Sequence, residues 1–268
     1  MNYLIDTHSH IYAEEFDADR DEAIRRAREA GVERLLLPAI DSESHGRLFD
    51  TVRRYPDHCT PMMGLHPTSI NDNPRWREEL ALVERYLCSP PEGVGRFCAV
   101  GEIGLDGYIE TPTVAEQLPV FAAQLKLAAE FDLPVSIHAR HAVDAVSAAI
   151  RKSGVRRGVI HAFNGSSEQA KRLIDLGFKL GFGGALMYTG SKRIRRIFAE
   201  IGDTDFVLET DAPDMPSPGR RADADSRTHP ADIALYCEEA ARIRGVSPEN
   251  LARLARESAL AVFSRMAA

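Results

Sequence analysis

Two histidines, His8 and His10, stand one residue apart where the apolar start of "LIDTHSH" (residues 4–10) ends. In a β-strand, side chains two positions apart point to the same side, so the two imidazoles would converge on one point. Converging imidazoles suggest a metal ion. For a lone His-x-His pair, however, histidines that merely hydrogen-bond in a loop are the more common explanation. The pair therefore needs support from the rest of the chain.

Other residues able to do chemistry recur where further apolar segments end. They are His66 in "TPMMGLH", Glu102 and Asp106 in "CAVGEIGLD", His138 and Arg140 in "LPVSIHAR", His161 in "GVIHAF", and Glu209 and Asp211 in "DFVLETD". Each residue alone has an ordinary structural explanation, such as a core histidine or a helix cap. Together they favour one shared site, because imidazoles with carboxylates are the ligands of catalytic divalent ions. Such an ion acidifies the water at its open position.

The elements that must position these residues form a repeated unit. Eight short apolar segments alternate with helical patterns: "YLIDTH", "ERLLLPAI", "TPMMGLH", "CAVGEIGLD", "LPVSIHAR", "GVIHAF", "FKLGFGG" and "DFVLETD". Near-continuous apolar strands indicate burial on both faces, as in a parallel sheet. Eight such units predict an α/β fold, a single (β/α)₈ TIM barrel over residues 1–268. An open doubly wound sheet is the alternative, although no Gly-x-Gly-x-x-Gly follows the first strand.

In this fold the active site lies at the carboxyl ends of the strands, where the histidines and carboxylates fall. Helix boundaries are also readable. Gly31 is a predicted helix C-cap, Ser247 with Pro248 and Glu249 predicts a helix start, and Pro119 must sit early in its helix or kink it. The loop-like stretch "PSPGRRADADSRTHP" follows the eighth strand and is expected over the barrel mouth.

Composition limits the possible partners. The net charge of −7 argues against a protein that coats long nucleic acids, so any contact would be with a short end. No apolar run reaches the ~18 residues of a membrane span, and no leader pattern opens the chain. The four cysteines form no C-x-x-C pair and are expected to be reduced thiols in the cytoplasm. We expect no membrane association and no obligate protein partner.

The ordered set of His8-x-His10, "GLHP", "AVGEIGLD", "LPVSIHAR", "HAFNGS" and "LETDAPDMP" resembles the TatD-type metal-dependent deoxyribonucleases, within the wider amidohydrolase-like barrels. The match runs from about Asp6 to Pro216. The resemblance implies a phosphodiesterase, a 3′–5′ exodeoxyribonuclease that acts on DNA ends or short single strands. It also implies two divalent ions per chain, Mg or Mn in function, with Zn possible in the purified protein.

The resemblance also implies roles for individual residues. His8, His10 and Asp211 would bind one ion, His138 and His161 the other, and Glu102 would bridge them. Glu102 and Asp211 are the expected catalytic residues, with Asp211 as the general base. His66 and Arg140 match positions near the substrate phosphate. Glu209 would either orient a metal ligand through a hydrogen bond or simply be a buried, paired carboxylate.

Some positions depart from the family pattern and concern the substrate rim. Gly107 precedes Tyr108, the segment Thr228–Pro230 replaces an Asn and Glu-Pro pattern, and Ser258 stands where an Asn is common.

Two other functions stay open. One is an amidohydrolase that cleaves a C–N or lactone bond, although such barrels often use a bridging lysine and no lysine ends a predicted strand here. The other is a non-catalytic metal-binding or scaffolding protein, which has no need of a complete ligand set with an open position.

Overall fold

Strands and helices alternate along the chain in a computed structural model that describes residues 4–70 and 76–267. All eight predicted strands form, and Tyr3, predicted to open the first, lies outside the described residues. The strands are β1 (Leu4–Asp6), β2 (Val32–Pro38), β3 (Cys59–Met62), β4 (Val100–Asp106), β5 (Val135–Arg140), β6 (Gly158–Ile160), β7 (Phe178–Phe182) and β8 (Phe206–Leu208). Every residue of β4 is buried, as expected for a strand covered on both faces.

The strands pair in parallel, in the order β1-β2-β3 and β4-β5-β6-β7-β8. Backbone hydrogen bonds join the two sets at both seams. The Met63 amide donates to the Ala99 carbonyl at 3.2 Å, and the Thr7 amide donates to the Leu208 carbonyl at 3.2 Å. The architecture is therefore the predicted (β/α)₈ barrel, with β1 beside β8 and all carboxyl ends at one edge.

Ten α-helices lie in the described residues. They are α1 (Arg20–Glu29), α2 (His45–Arg54), α3 (Trp76–Cys88), α4 (Val114–Glu130), α5 (Val143–Ser153), α6 (Ser167–Asp175), α7 (Lys192–Glu200), α8 (Pro218–Ala222), α9 (Ile233–Arg244) and α10 (Pro248–Val262). The predicted boundaries hold. Gly31 follows α1 with a φ of 85°, a left-handed conformation that suits glycine. The Ser247 hydroxyl accepts from the Asn250 amide at 3.2 Å and caps α10. Pro119 lies inside α4, beyond its first turn.

The loop after β8 is held in place by Arg227 and by the segment Thr228–Pro230, which departs from the family pattern. The Thr228 amide donates to the Pro213 carbonyl at 2.9 Å, and His229 Nε2 lies 2.9 Å from an Asp225 oxygen. Arg227 donates to Asp19, which precedes α1, at 2.7 Å. This segment thus holds the loop after β8 against the start of α1. Ser258 is buried on α10.

The cysteines and the helices bear on the predicted reduced thiols and on the predicted lack of a membrane span. Cys59, Cys98 and Cys237 are buried, Cys88 is exposed, and all four are free thiols. Within the described ranges, every helix is too short or too polar to cross a bilayer.

Acid is expected to destabilise the fold partly through His58, which precedes β3 and is buried. Its Nδ1 lies 3.1 Å from the Glu33 carbonyl oxygen. Burial, with a smaller contribution from Arg28, lowers the pKa of His58 from 6.5 to about 4. The unfolded chain therefore takes up this proton first. The stability linked to neutral His58 is complete above about pH 6.5 and is lost as the pH falls toward about 4.

The variant His58→Asn keeps a donor near that carbonyl and cannot titrate. We expect it to lose less stability than the wild type between about pH 7.5 and about pH 4, by up to about 3 kcal/mol. Urea unfolding at each pH measures the difference. Parallel pH dependences for the two proteins would contradict the prediction.

Candidate metal centre

Six strands bring the predicted site residues into one cluster, most of them at the carboxyl ends. His8 and His10 follow β1, His66 follows β3, Glu102 lies on β4, His138 on β5, His161 follows β6, and Glu209 and Asp211 follow β8. These side chains are buried or nearly so, and His8 is completely inaccessible. Buried ionisable groups need partners, and here they are one another's partners.

Glu102 stands in the middle of the cluster, with its two oxygens facing different histidines. Oε2 lies 3.0 Å from His8 Nε2 and 3.7 Å from His10 Nε2. Oε1 lies 3.2 Å from His138 Nδ1 and 3.5 Å from His66 Nε2. A carboxylate in this position can serve two cations at once, one through each oxygen.

Asp211 closes the other side of the cluster. Its Oδ1 lies 3.7 Å from His8 Nε2, 3.6 Å from His10 Nε2 and 3.4 Å from His161 Nε2. The backbone of Asp211 has a φ of 62°, a left-handed conformation that Asp and Asn tolerate better than most residues. Its amide donates to the His8 carbonyl at 2.9 Å, which joins the ends of β8 and β1.

The ligand atoms form three groups, and within each group all atoms lie within 4.8 Å of one another. The groups are His8, His10 and Asp211; His8, Glu102 and His161; and His66, Glu102 and His138. The first is the set expected to hold one ion. In the described residues, His161 is grouped with His8, on which its ring stacks at 3.5 Å, and not with His138. His66, expected near the phosphate, is close enough to Glu102 to act as a ligand as well.

Each of the five histidines has one ring nitrogen facing the cluster and the other beside a polar partner. The pairs are His8 Nδ1 with Ser136 Oγ (3.3 Å), His10 Nδ1 with Tyr12 OH (3.1 Å), His66 Nδ1 with Thr68 Oγ1 (2.6 Å), His138 Nε2 with Asp106 Oδ2 (2.8 Å) and His161 Nδ1 with Glu209 Oε1 (2.9 Å). Such partners orient metal-binding imidazoles and select the tautomer. Tyr12 shows how, because its hydroxyl donates to the Pro38 carbonyl at 2.7 Å and so can accept from His10.

Sequence reasoning placed Glu209 among these partners but missed the roles of Tyr12, Ser136, Thr68 and Asp106. The one available signal was strand spacing, since Ser136 lies two residues before His138 and shares its side of β5. Glu209 also accepts from the Ala162 amide at 2.6 Å. Gly181 makes room for it, because a Cβ there would lie 2.4 Å from Glu209 Oε2.

The charges of the metal-free cluster compensate one another. Burial alone would raise the pKa of Glu102, but His8, His66 and His138 outweigh it and hold the pKa well below its usual value. The pKa of Asp211 is lowered in the same way, mainly by His161 acting against burial. Burial opposes protonation of His138, yet Asp106 and Glu102 raise its pKa to about 9. Protons thus occupy places that divalent ions would take, and metal uptake would release them.

The donor set fits divalent metal ions. Imidazole nitrogens and carboxylate oxygens suit Zn and Mn, and carboxylates with water suit Mg. In the described residues, no cysteine joins the three candidate groups. The residues present are therefore those that a divalent metal centre requires.

Asp106 is expected to control how tightly the metal is held, through His138. The variant Asp106→Asn removes the charge beside His138 Nε2 but keeps an oxygen for the Tyr108 amide, which donates to Asp106 Oδ1 at 2.7 Å. We expect metal affinity to fall about 10- to 100-fold. Competition with a chelator measures it. Asp144→Asn, an exposed carboxylate paired with Arg172, is the control. Equal affinities for Asp106→Asn and the wild type would contradict the prediction.

Comparisons with known proteins show the family of the chain. Residues 5–264 match the family described as TatD related DNase. The chain is 34% identical to an uncharacterized metal-dependent hydrolase, YjjV of Escherichia coli K12, over 88% of this chain and 89% of that protein. It is 29% identical to a 3′-5′ ssDNA/RNA exonuclease TatD of Erwinia tasmaniensis, covering 96% and 97% of the two chains. The crystal structure of YjjV superposes with a TM-score of 0.88 at 30% identity, covering 97% of this chain and 98% of that one.

Proposed function

The chain belongs to the TatD family of metal-dependent hydrolases, which act on phosphodiester bonds, and on this premise we propose that it is a 3′–5′ exodeoxyribonuclease acting on DNA ends or short single strands. The observation that carries the proposal is the position of Glu102, whose oxygens face two different sets of imidazoles at 3.0 Å and 3.2 Å. Two adjacent cation positions suit in-line displacement at a phosphate, where both the attacking and the leaving oxygen need stabilisation.

We assign the ligands as follows. His8, His10 and Asp211 hold one ion, His138 and His161 hold the second, and Glu102 bridges them; His66 is near enough to Glu102 to assist. Mg or Mn is the proposed functional metal, and Zn can occupy the same donors in purified protein. When bound, the ions supply electrophilic stabilisation of the phosphate and acidify the attacking water.

Asp211 is the group placed to take the proton from that water. Its side chain is 16% exposed, whereas that of Glu102 is 4% exposed, so water reaches Asp211 more readily. The lowered pKa of Asp211 keeps it ionised at neutral pH, mainly because His161 outweighs burial. An ionised, solvent-accessible carboxylate can accept a proton at one oxygen while the other faces the imidazoles.

Arg140 and His66 are the proposed contacts to the substrate phosphate. Arg140 ends β5, two residues after His138, and in the described residues its guanidinium has no ion pair or hydrogen bond. Its donors are therefore free for phosphate oxygens, which match the planar guanidinium. His66 lies at the rim, with its side chain 13% exposed.

The amidohydrolase alternative finds less support. The five lysines lie away from the centre: Lys179 is on β7, 4.0 Å from Asp205, and Lys126, Lys152, Lys171 and Lys192 are on helices. Glu102 occupies the place that a bridging lysine would need.

An activity screen tests the proposed function. Metal-stripped protein is reloaded with Mg, Mn or Zn and offered single-stranded DNA, RNA, a generic phosphodiester and a dihydropyrimidine-type amide. The proposal expects metal-dependent cleavage of the single strands. Cleavage of the amide alone would overturn it in favour of the amidohydrolase.

A preference for ends is a separate expected result. Because the protein carries a net charge of −7, it lacks the overall positive charge with which proteins bind long strands. Linear single-stranded DNA should be degraded, while a circular strand of the same sequence should persist. Gel analysis of labelled strands measures both. Equal degradation of linear and circular strands would contradict the preference.

A further inference from the structure

Tyr108 is the most exposed large apolar side chain among the described residues, at 62% exposure. It follows β4, the strand that carries Glu102, and so it stands at the same end of the barrel as the metal centre. Single exposed apolar side chains are ordinary on protein surfaces. What distinguishes this ring is its place at the end of the barrel that holds the proposed centre, where its face is available to a ligand.

One face of this ring is already occupied. The guanidinium carbon of Arg140 lies 3.7 Å from the ring centroid, a close cation–π contact. The His141 ring is also near, with its centroid 5.8 Å from that of Tyr108. Because a stacked guanidinium covers one face, the large exposed fraction of Tyr108 belongs to the other face and the edge. The stacked guanidinium still presents its N–H groups around its rim.

The backbone of Tyr108 is linked to the proposed metal centre through Asp106. Its amide donates to Asp106 Oδ1 at 2.7 Å, and the other oxygen of Asp106 lies 2.8 Å from His138 Nε2. Gly107 brings this segment against β5, since its amide donates to the Arg140 carbonyl at 2.7 Å and a Cβ there would lie 2.9 Å from the His141 carbonyl oxygen. The glycine that departs from the family pattern is thus what seats Tyr108 beside Arg140.

We propose that Tyr108 and Arg140 form a nucleotide subsite, in which a base stacks on the open face of Tyr108 and the Arg140 guanidinium donates to a phosphate of the same strand. The inference rests on the function proposed above and extends it to how a single strand is held. Stacking on an aromatic ring is indifferent to base identity, and only an unpaired base can offer its face. The subsite therefore favours single strands over duplex DNA.

The subsite is tested by measuring how protein variants bind intact and abasic strands. The protein, carrying its metal as purified, is titrated into end-labelled single strands whose phosphorothioate linkages resist hydrolysis, and anisotropy is measured. The strands are intact or carry one abasic site, moved through successive positions from the 3′ end. We expect Tyr108→Ala to weaken binding of the intact strand roughly 5- to 150-fold. When the abasic site falls at the stacking position, the affinity of Tyr108→Ala should fall little further than it does for the intact strand.

Tyr108→Trp, which keeps an aromatic face, should restore affinity. Leu235→Ala, which removes an exposed apolar side chain from α9, is the matched control and should bind like the wild type. Unfolding midpoints confirm that each variant is folded. Unchanged binding by Tyr108→Ala, an equal loss for every abasic strand, or no strand binding by the wild type would overturn the subsite. Failure of the proposed function is seen separately, as absence of metal-dependent hydrolysis of unmodified strands by the wild type.

Discussion

Replacing Glu102 by Gln is expected to lower phosphodiester turnover by at least about 10³-fold, since each metal ion contributes several kcal/mol. The variant keeps the shape of the side chain and removes the charge that the imidazoles surround. Oε2 is 3.0 Å from His8 Nε2 and Oε1 is 3.2 Å from His138 Nδ1, so both proposed cation positions lose the same ligand. Metal content per chain should therefore fall together with turnover.

Elemental analysis of the purified variant, beside steady-state hydrolysis of single-stranded DNA, measures both effects. Glu33→Gln is the matched control, because this carboxylate lies outside the proposed centre. It pairs with Arg256 of α10 at 2.6 Å. That variant should retain metal and turnover. A Glu102→Gln protein that holds as much metal as the wild type would show that Glu102 is not a bridging ligand.

Asp211→Asn is expected to reduce turnover by at least about 10²-fold, at the lower end of what general-base catalysis contributes. Asn adopts the left-handed backbone found at this position, where φ is 62°, so the fold of the strand end should survive. The amide keeps one oxygen toward the imidazoles but cannot accept a proton. Glu102, His138 and His161 are untouched, so the second ion should remain bound.

Turnover of this variant across a metal titration, with metal content assayed in parallel, separates the two roles of Asp211. If Asp211 is the base, turnover stays low when metal is saturating. Recovery of nearly wild-type turnover at saturating metal would mean that Asp211 is a ligand only.

The sequence by itself determined the eight strands and the end of the barrel at which the site lies. Strands buried on both faces must be apolar almost throughout, and β4 is buried along its whole length. A polar side chain within or at the end of such a strand therefore stands out, as Glu102 does at the third position of β4. That constraint made His8, Glu102, His138 and Asp211 recognisable, because a buried charge persists only when it has partners.

Only the tertiary structure decided which of these residues meet. His8 Nε2 reaches Glu102, 94 positions away, because parallel strands are brought side by side around the barrel, and no local pattern records which rings then face each other. The stacking of His161 on His8 and the pairing of Asp106 with His138 arise in the same way. Local strand geometry determines the direction of a side chain, whereas its partner depends on how the barrel closes and how each ring rotates to satisfy both nitrogens.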